Sequence, residues 1–385
     1  MRIVVAHNFY LQPGGEDRIF DSEATLLERH GHTVIRHTVG NQSVLGRNPV
    51  GTAAAAVWNR HASRELASLI QRGRPEVVHF HNTFPVLSPA CYRAARRGGA
   101  SVVQTLQNYR LLCPGALLER GGAPCESCLG KTLAWRGVVH GCYRHSRAAT
   151  AAVAGMTAIH RMAGTWAEAV DVYLAPTQFS IPLFVAGGLP AAKVVAKPNF
   201  VWPDPGPGTG SGGYPLFCGR FSAEKGLATL ARAWEHLGGC PPLRAAGYGP
   251  DAQALQGAPG IELLGRRSRA EVVALMQEAA FLVFPSVWYE GLPMTIVEAF
   301  ACGLPVIASR LGAMEELIED GRTGLLFTPG DASDLAAKVE WAMAHTAEMG
   351  RMRREARAEF EARYTAARNY QALMEIYDRA RAARN

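Results

Sequence analysis

The sequence predicts an α/β protein of two domains, each built around a parallel sheet. Short apolar runs, which are typical of strands buried on both faces, alternate with stretches of helical spacing along most of the 385 residues. This alternation occurs on both sides of residues 203–213, whose density of Pro and Gly indicates a domain boundary and a hinge. Two Rossmann-like domains account for the length and for the apolar content of the chain.

The first domain is predicted over residues 1–200, with strands at residues 2–6, 33–36, 76–81, 101–105 and 171–177. Gly14 and Gly15 lie between the first strand and the first helix. A glycine pair there lets the backbone approach a ligand at the helix N-terminus, although a plain tight turn explains the pair equally well. His79 and His81 lie on one face of the third strand. A core pair is favoured over a metal pair, because no carboxylate or further His follows nearby.

The net charge of +7 is unevenly distributed along the chain. Residues 1–200 hold 21 Lys or Arg and 11 Asp or Glu, whereas residues 201–385 hold 19 and 22. A basic half implies an anionic partner, and nucleic acid ranks below a phospholipid surface or a lipid-linked diphosphate because no nucleic-acid-binding motif accompanies the charge. Arg136 and Arg144, near Trp135, fit a basic amphipathic surface for a membrane, but an ordinary solvated helix face fits them as well.

Four cysteines cluster in the first domain. Cys113, Cys125, Cys128 and Cys142 form the pattern C-x11-C-x2-C-x13-C in a Cys-rich insert at residues 113–142. In a chain expected to be cytosolic, such a cluster favours a structural zinc site or reduced thiols over disulfides. The spacing of the outer two matches no standard zinc finger, so the sequence leaves zinc and redox-active thiols both open. Catalytic zinc is not expected, since four thiolate ligands would leave no open position.

The second domain is predicted over residues 201–360, and residues 281–309 are its most informative stretch. They predict a buried strand, a loop, a helix that begins at Pro293 and ends at Gly303, and a second strand. Glu290 precedes the helix, where backbone N–H groups favour anions and hydroxyls. Glu298 lies in an otherwise apolar helix, which predicts a buried carboxylate that needs partners.

Two cations follow the first strand of the second domain. Gly219 and Arg220 end this strand, and Lys225 lies five residues further on, at the start of a helix. A glycine turn with two cations at a helix start can hold a diphosphate, although two surface cations would give the same pattern. Gly247 lies in a similar glycine turn after the next strand.

Glu290, seven residues and Glu298 resemble the E-x7-E signature of the retaining glycosyltransferases of family 4. The resemblance extends over roughly the first 330 residues. The family has the GT-B fold, so the resemblance implies two Rossmann-like domains facing across a cleft, with a C-terminal helix (residues 361–385) that crosses back to the first domain. It implies transfer of a sugar from a nucleotide diphosphate donor, first of all a UDP-sugar, to a hydroxyl acceptor with retained configuration. No divalent metal or other cofactor is implied for catalysis.

The resemblance also implies roles for individual residues. Arg220 and Lys225 would neutralise the diphosphate, Glu290 would contact the transferred sugar, and Glu298 would accept hydrogen bonds from the ribose. The other donor-binding residues that it implies are Gly14, Gly15, Gln107, Gly219, Gly247, Arg266, Gly291, Leu292, Pro293 and Met294. Many family members have His where this chain has Gln107. Glutamine can hydrogen-bond a sugar hydroxyl but cannot carry a proton, which argues against an acid/base role here and not against sugar binding.

The expected acceptor is a glycan or lipid-linked glycan of polysaccharide or glycolipid biosynthesis, bound by the basic first domain. Because the sequence shows neither a signal peptide nor a membrane span, we expect a cytoplasmic protein, with peripheral contact at the inner face of the membrane as an option. One alternative is a non-catalytic nucleotide-sugar binding protein, which Gln107 suggests. Another is a different GT-B enzyme such as a nucleotide-sugar epimerase, against which the E-x7-E spacing with Arg220 and Lys225 argues.

Overall fold

The chain folds into two compact units. A computed structural model describes residues 1–11, 14–44 and 48–384. The first unit comprises Met1–Leu118, Cys125–Pro198 and Asn369–Asn385, and the second comprises Glu119–Pro124 and Asn199–Arg368. The units therefore divide at Pro198 and at Arg368, close to the residues 200 and 360 at which the sequence places its boundaries.

The first unit is built on a six-stranded parallel sheet. The first eight strands of the chain are β1 (Arg2–Phe9), β2 (Thr33–Gly40), β3 (Val77–Asn82), β4 (Ser101–Thr105), β5 (Glu119–Arg120), β6 (Ala123–Pro124), β7 (Val172–Ala175) and β8 (Val194–Ala196). Six of them form the sheet in the order β2-β1-β3-β4-β7-β8. The other two, β5 and β6, belong to the second unit and form a short antiparallel hairpin. Every residue of β3, β4 and β7 is buried, as expected for strands covered on both faces.

Helices connect the parallel strands of this sheet. They are α1 (Gly15–Arg29), α2 (Pro49–Val57), α3 (Arg60–Gly73), α4 (Ala90–Arg97), α5 (Trp135–His140), α6 (Arg147–Met162), α7 (Thr165–Glu168) and α8 (Ser180–Ala186). Side chains of Asn48, Asn59 and Ser146 accept hydrogen bonds from the first backbone N–H groups of α2, α3 and α6. These caps satisfy donors that a helix start leaves without partners, and so they fix where each helix begins.

The second unit repeats the arrangement with its own parallel sheet. Its strands are β9 (Pro215–Arg220), β10 (Leu243–Tyr248), β11 (Ile261–Gly265), β12 (Phe281–Phe284), β13 (Val306–Ser309) and β14 (Gly324–Phe327), in the order β11-β10-β9-β12-β13-β14. Its helices are α9 (Leu227–His236), α10 (Arg269–Glu278), α11 (Met294–Ala301), α12 (Ala313–Leu317), α13 (Ala332–Ala344) and α14 (Thr346–Arg363). Alternate residues of the central strands enter two separate cores, one on each face. The predicted class, α/β with two Rossmann-like parallel sheets, is confirmed.

The Pro- and Gly-rich segment at residues 203–213 does not form the predicted linker. It lies within the second unit, where the backbone N–H groups of Gly208, Gly210 and Gly212 donate to the carbonyls of Cys302, Gln277 and Glu278 at 2.8–3.0 Å. A Cβ atom at Gly208 would lie 2.2 Å from the Gln277 Cα. The glycines therefore allow close packing against the unit, and three backbone hydrogen bonds hold the segment in place.

The last helix, α15 (Ala366–Ala382), completes the core of the first unit. Leu373, Ile376 and Tyr377 pack with residues of β1, β3 and β7, and the predicted stripe of Tyr370, Leu373 and Ile376 lies on the packed side. Within the described residues, no helix combines the length and the apolar character that crossing a membrane requires.

Candidate functional site

Glu290 and Lys225 meet at the carboxyl end of β12. Lys225 ends a 3₁₀ turn that follows β9, and its Nζ lies 2.6 Å from Glu290 Oε1. The same oxygen accepts hydrogen bonds from Ser286 Oγ at 2.7 Å and from Trp288 Nε1 at 3.0 Å. The side chains of Lys225 and Glu290 are only 18% and 7% exposed. The ion pair is therefore screened by salt less than a surface pair would be.

Arg220, the last residue of β9, is held by a second carboxylate. Its Nη2 lies 2.6 Å from Glu224 Oε1, and Ser222 Oγ donates to the same oxygen at 2.7 Å. Burial alone would raise the pKa of Glu224, but the hydrogen bonds from Ser222 and Arg220 outweigh it and the pKa is lowered. Sequence reasoning missed Glu224, although its position four residues after Arg220 was a signal for this pair.

Two glycines allow these segments to approach one another. Gly226 follows Lys225 with φ +73°, and a Cβ atom there would lie 1.9 Å from the Pro285 carbonyl oxygen. Only glycine fits such a position without displacing the loop after β12. Gly247 lies opposite Gly219 in the ladder of β9 and β10, and its Cβ would lie 1.9 Å from the Gly219 oxygen. Gly247 therefore has a packing role in addition to the predicted donor contact.

Glu298 is half-buried, which corrects the prediction of a buried carboxylate. α11 buries Ile296, Val297 and the residues from Ala299 to Ala301, while Glu298 lies on a partly exposed side with Met294 and Thr295. One side of the helix is thus buried and the other is partly exposed, although nearly all of its residues are apolar. Burial and, to a smaller extent, the charge of Glu298 raise the pKa of the Cys218 thiol. Glu298 therefore lies within electrostatic reach of Cys218 in β9.

The remaining predicted donor residues of the second unit lie near the same strand ends. Pro293 caps α11, which begins one residue later than predicted, and Gly291, Leu292 and Met294 around it are half-buried. Arg266 is exposed, with its guanidinium carbon 5.0 Å from the centre of the Tyr248 ring. Tyr248 lies opposite Arg220 in the ladder. The carboxyl edge of this sheet thus gathers three cations (Arg220, Lys225 and Arg266) and three carboxylates (Glu224, Glu290 and Glu298), and the cations can bind a nucleoside diphosphate.

A separate polar cluster lies in the first unit, at the ends of β1 and β4. Asn108 Nδ2 donates to Glu16 Oε1 at 2.9 Å, and Glu16 is the second residue of α1. Burial raises the pKa of Glu16, against the effects of Asn108, His7 and Arg110. Sequence reasoning missed Glu16, Asn108 and Arg110 as candidates. Only the topology shows that α1 and the segment after β4 come together.

The predicted residues of the first unit lie next to this cluster. Gly14 caps α1, and its N–H donates to Asp17 Oδ2 at 2.8 Å. A Cβ atom on Gly14 or Gly15 would meet no atom within 4 Å, so no packing constraint explains the glycine pair. The loop residues Gln12 and Pro13, which precede the pair, lie outside the described residues. Gln107 is half-buried, follows β4 and lines a small cavity.

His79 and His81 belong to a buried charged cluster. His81 Nε2 lies 3.1 Å from Glu23 Oε2, and Lys197 Nζ contacts the other Glu23 oxygen. Burial alone would raise the pKa of Glu23, but Lys197 and the two histidines lower it, whereas burial lowers the pKa of His79. The three groups Glu23, His79 and His81 are close enough to hold a metal ion. Lys197 supplies a cation there, and Glu23 is a carboxylate that the sequence did not place beside the two histidines.

An apolar cavity of about 560 Å³ lies between α2 and α6. Its walls are largely small or aromatic, and they include Ala53, Ala152, Phe84 and Tyr143. The Arg110 guanidinium carbon lies 4.4 Å from the Phe84 ring centre and 5.1 Å from that of Tyr143. Arg110 therefore connects the cavity wall to the polar cluster of Glu16 and Asn108.

The surface near the cavity is basic and apolar. Trp135 is 54% and Val139 50% exposed, and Arg136 lies over the Trp135 ring at 5.5 Å. Met156, on the neighbouring helix α6, is buried in the core. The α5 patch therefore does not include Met156, although Ile159 and Met162 of α6 are exposed elsewhere on that helix.

Residues 213–345 match the sequence model of the family described as Glycosyl transferases group 1. The matched region contains Arg220, Lys225, Glu290 and Glu298 together with the whole sheet of the second unit. The sequence similarity to this family therefore lies within the second unit.

Curated relatives match parts of the chain. The amylovoran biosynthesis glycosyltransferase AmsK of Erwinia amylovora is 31% identical over 179 residues, which cover 43% of this chain and 44% of that protein. The phosphatidyl-myo-inositol mannosyltransferase of Mycobacterium leprae is 33% identical over 138 residues, which cover 32% of this chain and 37% of that protein. The chain thus matches less than half the length of these relatives.

Solved structures resemble the chain over its whole length. HepE of Anabaena, crystallised in complex with UDP, superposes with a TM-score of 0.69 at 18% identity, covering 98% of this chain and 100% of that one. Sucrose-phosphate synthase of Thermosynechococcus elongatus gives a TM-score of 0.71 at 14% identity, with both chains covered completely. The GT-B fold that the sequence resemblance implied is therefore confirmed.

Proposed function

We propose that the protein is a retaining glycosyltransferase that transfers a sugar from a UDP-sugar to a hydroxyl group of a lipid-linked glycan in cell-envelope or polysaccharide biosynthesis. The observation that carries this proposal is the pairing of Lys225 with Glu290, supported by Ser286 and Trp288, at the carboxyl edge of the sheet in the region that matches group 1 glycosyltransferases. In open α/β sheets, ligands bind at this edge.

The two cations would neutralise the leaving diphosphate. Charge grows on this group as the bond between the sugar carbon and the phosphate oxygen breaks, and Lys225 and Arg220 lie where β9 ends. The diphosphate would exchange with Glu224 at Arg220, whose side chain is 56% exposed. Removing one such cation should cost about 2–4 kcal/mol of barrier, as for the loss of one preorganised donor to a developing anion.

Retention of configuration fits the groups around the sugar. Glu290 Oε1 already accepts three hydrogen bonds, which makes it a poor nucleophile for a covalent intermediate. The leaving diphosphate oxygen would instead take the acceptor proton while the acceptor oxygen bonds to the same face of the sugar carbon. Gln107 would hydrogen-bond a sugar hydroxyl, and Glu298 the ribose. No step needs a divalent metal, so activity should persist in a chelator.

The first unit would bind the acceptor. Its apolar cavity of about 560 Å³ can take part of a lipid chain, and Arg110 and Arg144 at its wall and rim would hold a phosphate headgroup. The mannosyltransferase of Mycobacterium leprae, whose name indicates a lipid acceptor, supports this class of acceptor. The basic and apolar patch around Trp135 and Arg136 would touch an anionic membrane.

Calorimetric binding of UDP and GDP tests the donor site. UDP should bind wild type, and binding should weaken in Lys225→Ala and in Glu298→Gln while Lys338→Ala, a matched lysine change on α13, leaves it unchanged. GDP binding instead would redirect the donor to GDP-sugars. Binding of neither nucleotide would overturn the proposal.

Donor turnover separates an enzyme from a binding protein. A glycosyltransferase should hydrolyse its UDP-sugar slowly without acceptor, whereas a non-catalytic binding protein should not. For the membrane contact, Arg136→Glu with Arg144→Glu should weaken binding to anionic liposomes. Unchanged liposome binding and unchanged activity would remove the membrane from the proposal.

A further inference from the structure

The Cys-rich insert has little structure of its own to hold it. Between β4 and α6 the chain runs for about forty residues with only the two-residue strands β5 and β6 and the short helix α5. Irregular stretches of this length are uncommon in compact domains unless they bind a ligand or carry a function. Three apolar side chains of the insert, Leu133, Trp135 and Val139, are about half exposed. Its buried apolar side chains are few and mostly small, among them Ala116, Leu118 and Ala134.

Backbone strain is concentrated at the same place. Six non-glycine residues have positive φ in the part of the chain that the structure describes. Ala116 and Leu118 lie between Cys113 and Cys125, with φ of 67° and 50°, and Arg144 and His145 directly follow Cys142 and Tyr143, with φ of 53° each. Such conformations cost about 1–3 kcal/mol each and persist only where the surroundings impose them.

Three of the four cysteines lie around two glycines of the insert. A Cβ atom on Gly115 would lie 3.7 Å from Cys113 Sγ and 3.6 Å from Cys142 Cβ. A Cβ atom on Gly137 would lie 3.5 Å from Cys128 Sγ, and the Gly137 carbonyl accepts a hydrogen bond from the Cys142 N–H at 3.1 Å. Cys125 joins the group through its C-x2-C turn with Cys128.

We propose that Cys113, Cys125, Cys128 and Cys142 bind one structural zinc ion. Tetrahedral zinc with Zn–S bonds of about 2.3 Å places its four sulfur atoms about 3.8 Å apart. Within the described residues, no three of the cysteine sulfurs lie within 4.8 Å of one another, so binding requires rotation of the side chains. The backbone already brings Cys113, Cys128 and Cys142 around Gly115 and Gly137, and Cys125 lies three residues before Cys128. Each cysteine binds as a thiolate, so four protons are released to solvent per zinc bound.

The ion would fix the residues that precede the insert. Asn108 and Arg110 lie within five residues of Cys113, and Arg110 Nη1 donates to the Pro114 carbonyl at 2.9 Å. Zinc would thus act as a positioning group for Asn108 and Arg110, and through them for Glu16. Its binding can be measured without any activity assay, so it stands or falls independently of the proposed function.

Metal analysis of the full chain tests the site. Purified wild-type protein should contain one zinc per chain by plasma mass spectrometry, and Cys125→Ser with Cys128→Ser should lower the content at least tenfold. Cys240→Ser is the matched control, because Cys240 is exposed and lies outside the insert, and it should keep the zinc. Cobalt in place of zinc should give the sulfur-to-metal absorption bands of a tetrahedral thiolate site.

A second variant covers the case in which the double variant fails to fold. Cys142→His keeps a zinc ligand and should retain the metal, whereas Cys142→Ala should lose most of it. Well under one zinc per chain in wild type, iron with inorganic sulfide, or disulfides within the insert under non-reducing mass spectrometry would each overturn the proposal. So would full zinc content in the double variant.

Discussion

Replacing Lys225 by Ala should weaken UDP binding by roughly 10- to 150-fold. This range corresponds to about 1.5–3 kcal/mol, the usual value of a hydrogen bond to a charged group. Lys225 is suited to such a contact because its side chain is 18% exposed, so a diphosphate can reach it while much of the surrounding water is excluded.

The loss of UDP affinity should exceed the contribution of one cation, because Lys225→Ala also removes the lysine partner of the Glu290 carboxylate. Without Lys225, the Glu290 carboxylate loses its lysine partner and keeps the neutral donors Ser286 and Trp288, and at 7% exposure its charge is poorly screened. A diphosphate would then meet a less compensated negative charge. Adding Glu290→Gln to Lys225→Ala should therefore recover about 1–2 kcal/mol, or roughly 5- to 30-fold in affinity.

Glu290→Gln alone should bind UDP at least as tightly as wild type, because it frees Lys225 from its partner. Transfer should nevertheless fall by about 100-fold or more if Glu290 contacts the sugar in the transition state. Calorimetry on the four proteins of the cycle, at low and high salt, measures the coupling, and Lys338→Ala serves as the control. If Lys225→Ala binds UDP as Lys338→Ala does, or if the two changes add independently, the reasoning is wrong.

Three further substitutions test the fold around the candidate sites. Gly226→Ala should lower the free energy of unfolding, measured in urea, by several kcal/mol and weaken UDP binding. Gly238→Ala is the control: Gly238 also has a positive φ, +61°, but no atom within 4 Å of an added Cβ, so the free energy of unfolding should fall by only about 1 kcal/mol. Lys197→Met should lower the free energy of unfolding by about 3–5 kcal/mol at neutral pH, because Glu23 stays buried and charged without its lysine partner. The difference between variant and wild type should shrink in acid, because protonation of Glu23 removes the stabilisation that its lowered pKa provides. Glu16→Gln should raise the melting temperature by about 2–4 °C at neutral pH, because burial raises the pKa of Glu16; below the ordinary pKa of Glu the gain should vanish in scanning fluorimetry.

The sequence predicts the positions of strands and turns well, and it predicts less well which helix residues are buried against the sheet. β12 has the bounds Phe281–Phe284 that the apolar run predicts, because a short apolar run ended by Pro285 is typical of a strand buried on both faces. Glu298 was predicted to be buried from its apolar neighbours, but α11 covers the sheet with one side only. Composition counts apolar residues, whereas burial depends on which side of the helix meets the sheet.

Long-range pairings account for most of what the sequence could not show. Glu16 and Asn108 are 92 residues apart, and only the order β2-β1-β3-β4 brings the ends of β1 and β4 together. The predicted hinge at residues 203–213 was inferred from composition, since Pro and Gly interrupt regular structure. The same residues also permit close packing, and three backbone hydrogen bonds hold this segment against the second unit.

The pairing of both site cations with carboxylates has a consequence for the proposed reaction. Lys225 and Arg220 are held in place by Glu290 and Glu224, so little reorganisation is needed when a diphosphate arrives. The same carboxylates weaken the net attraction for the donor in its ground state, because the site is close to neutral before binding. When the bond to the sugar breaks, the diphosphate gains charge and the cations interact with it more strongly. Stabilisation that increases in this way contributes more to turnover than to affinity, which is what a transferase requires of its donor site.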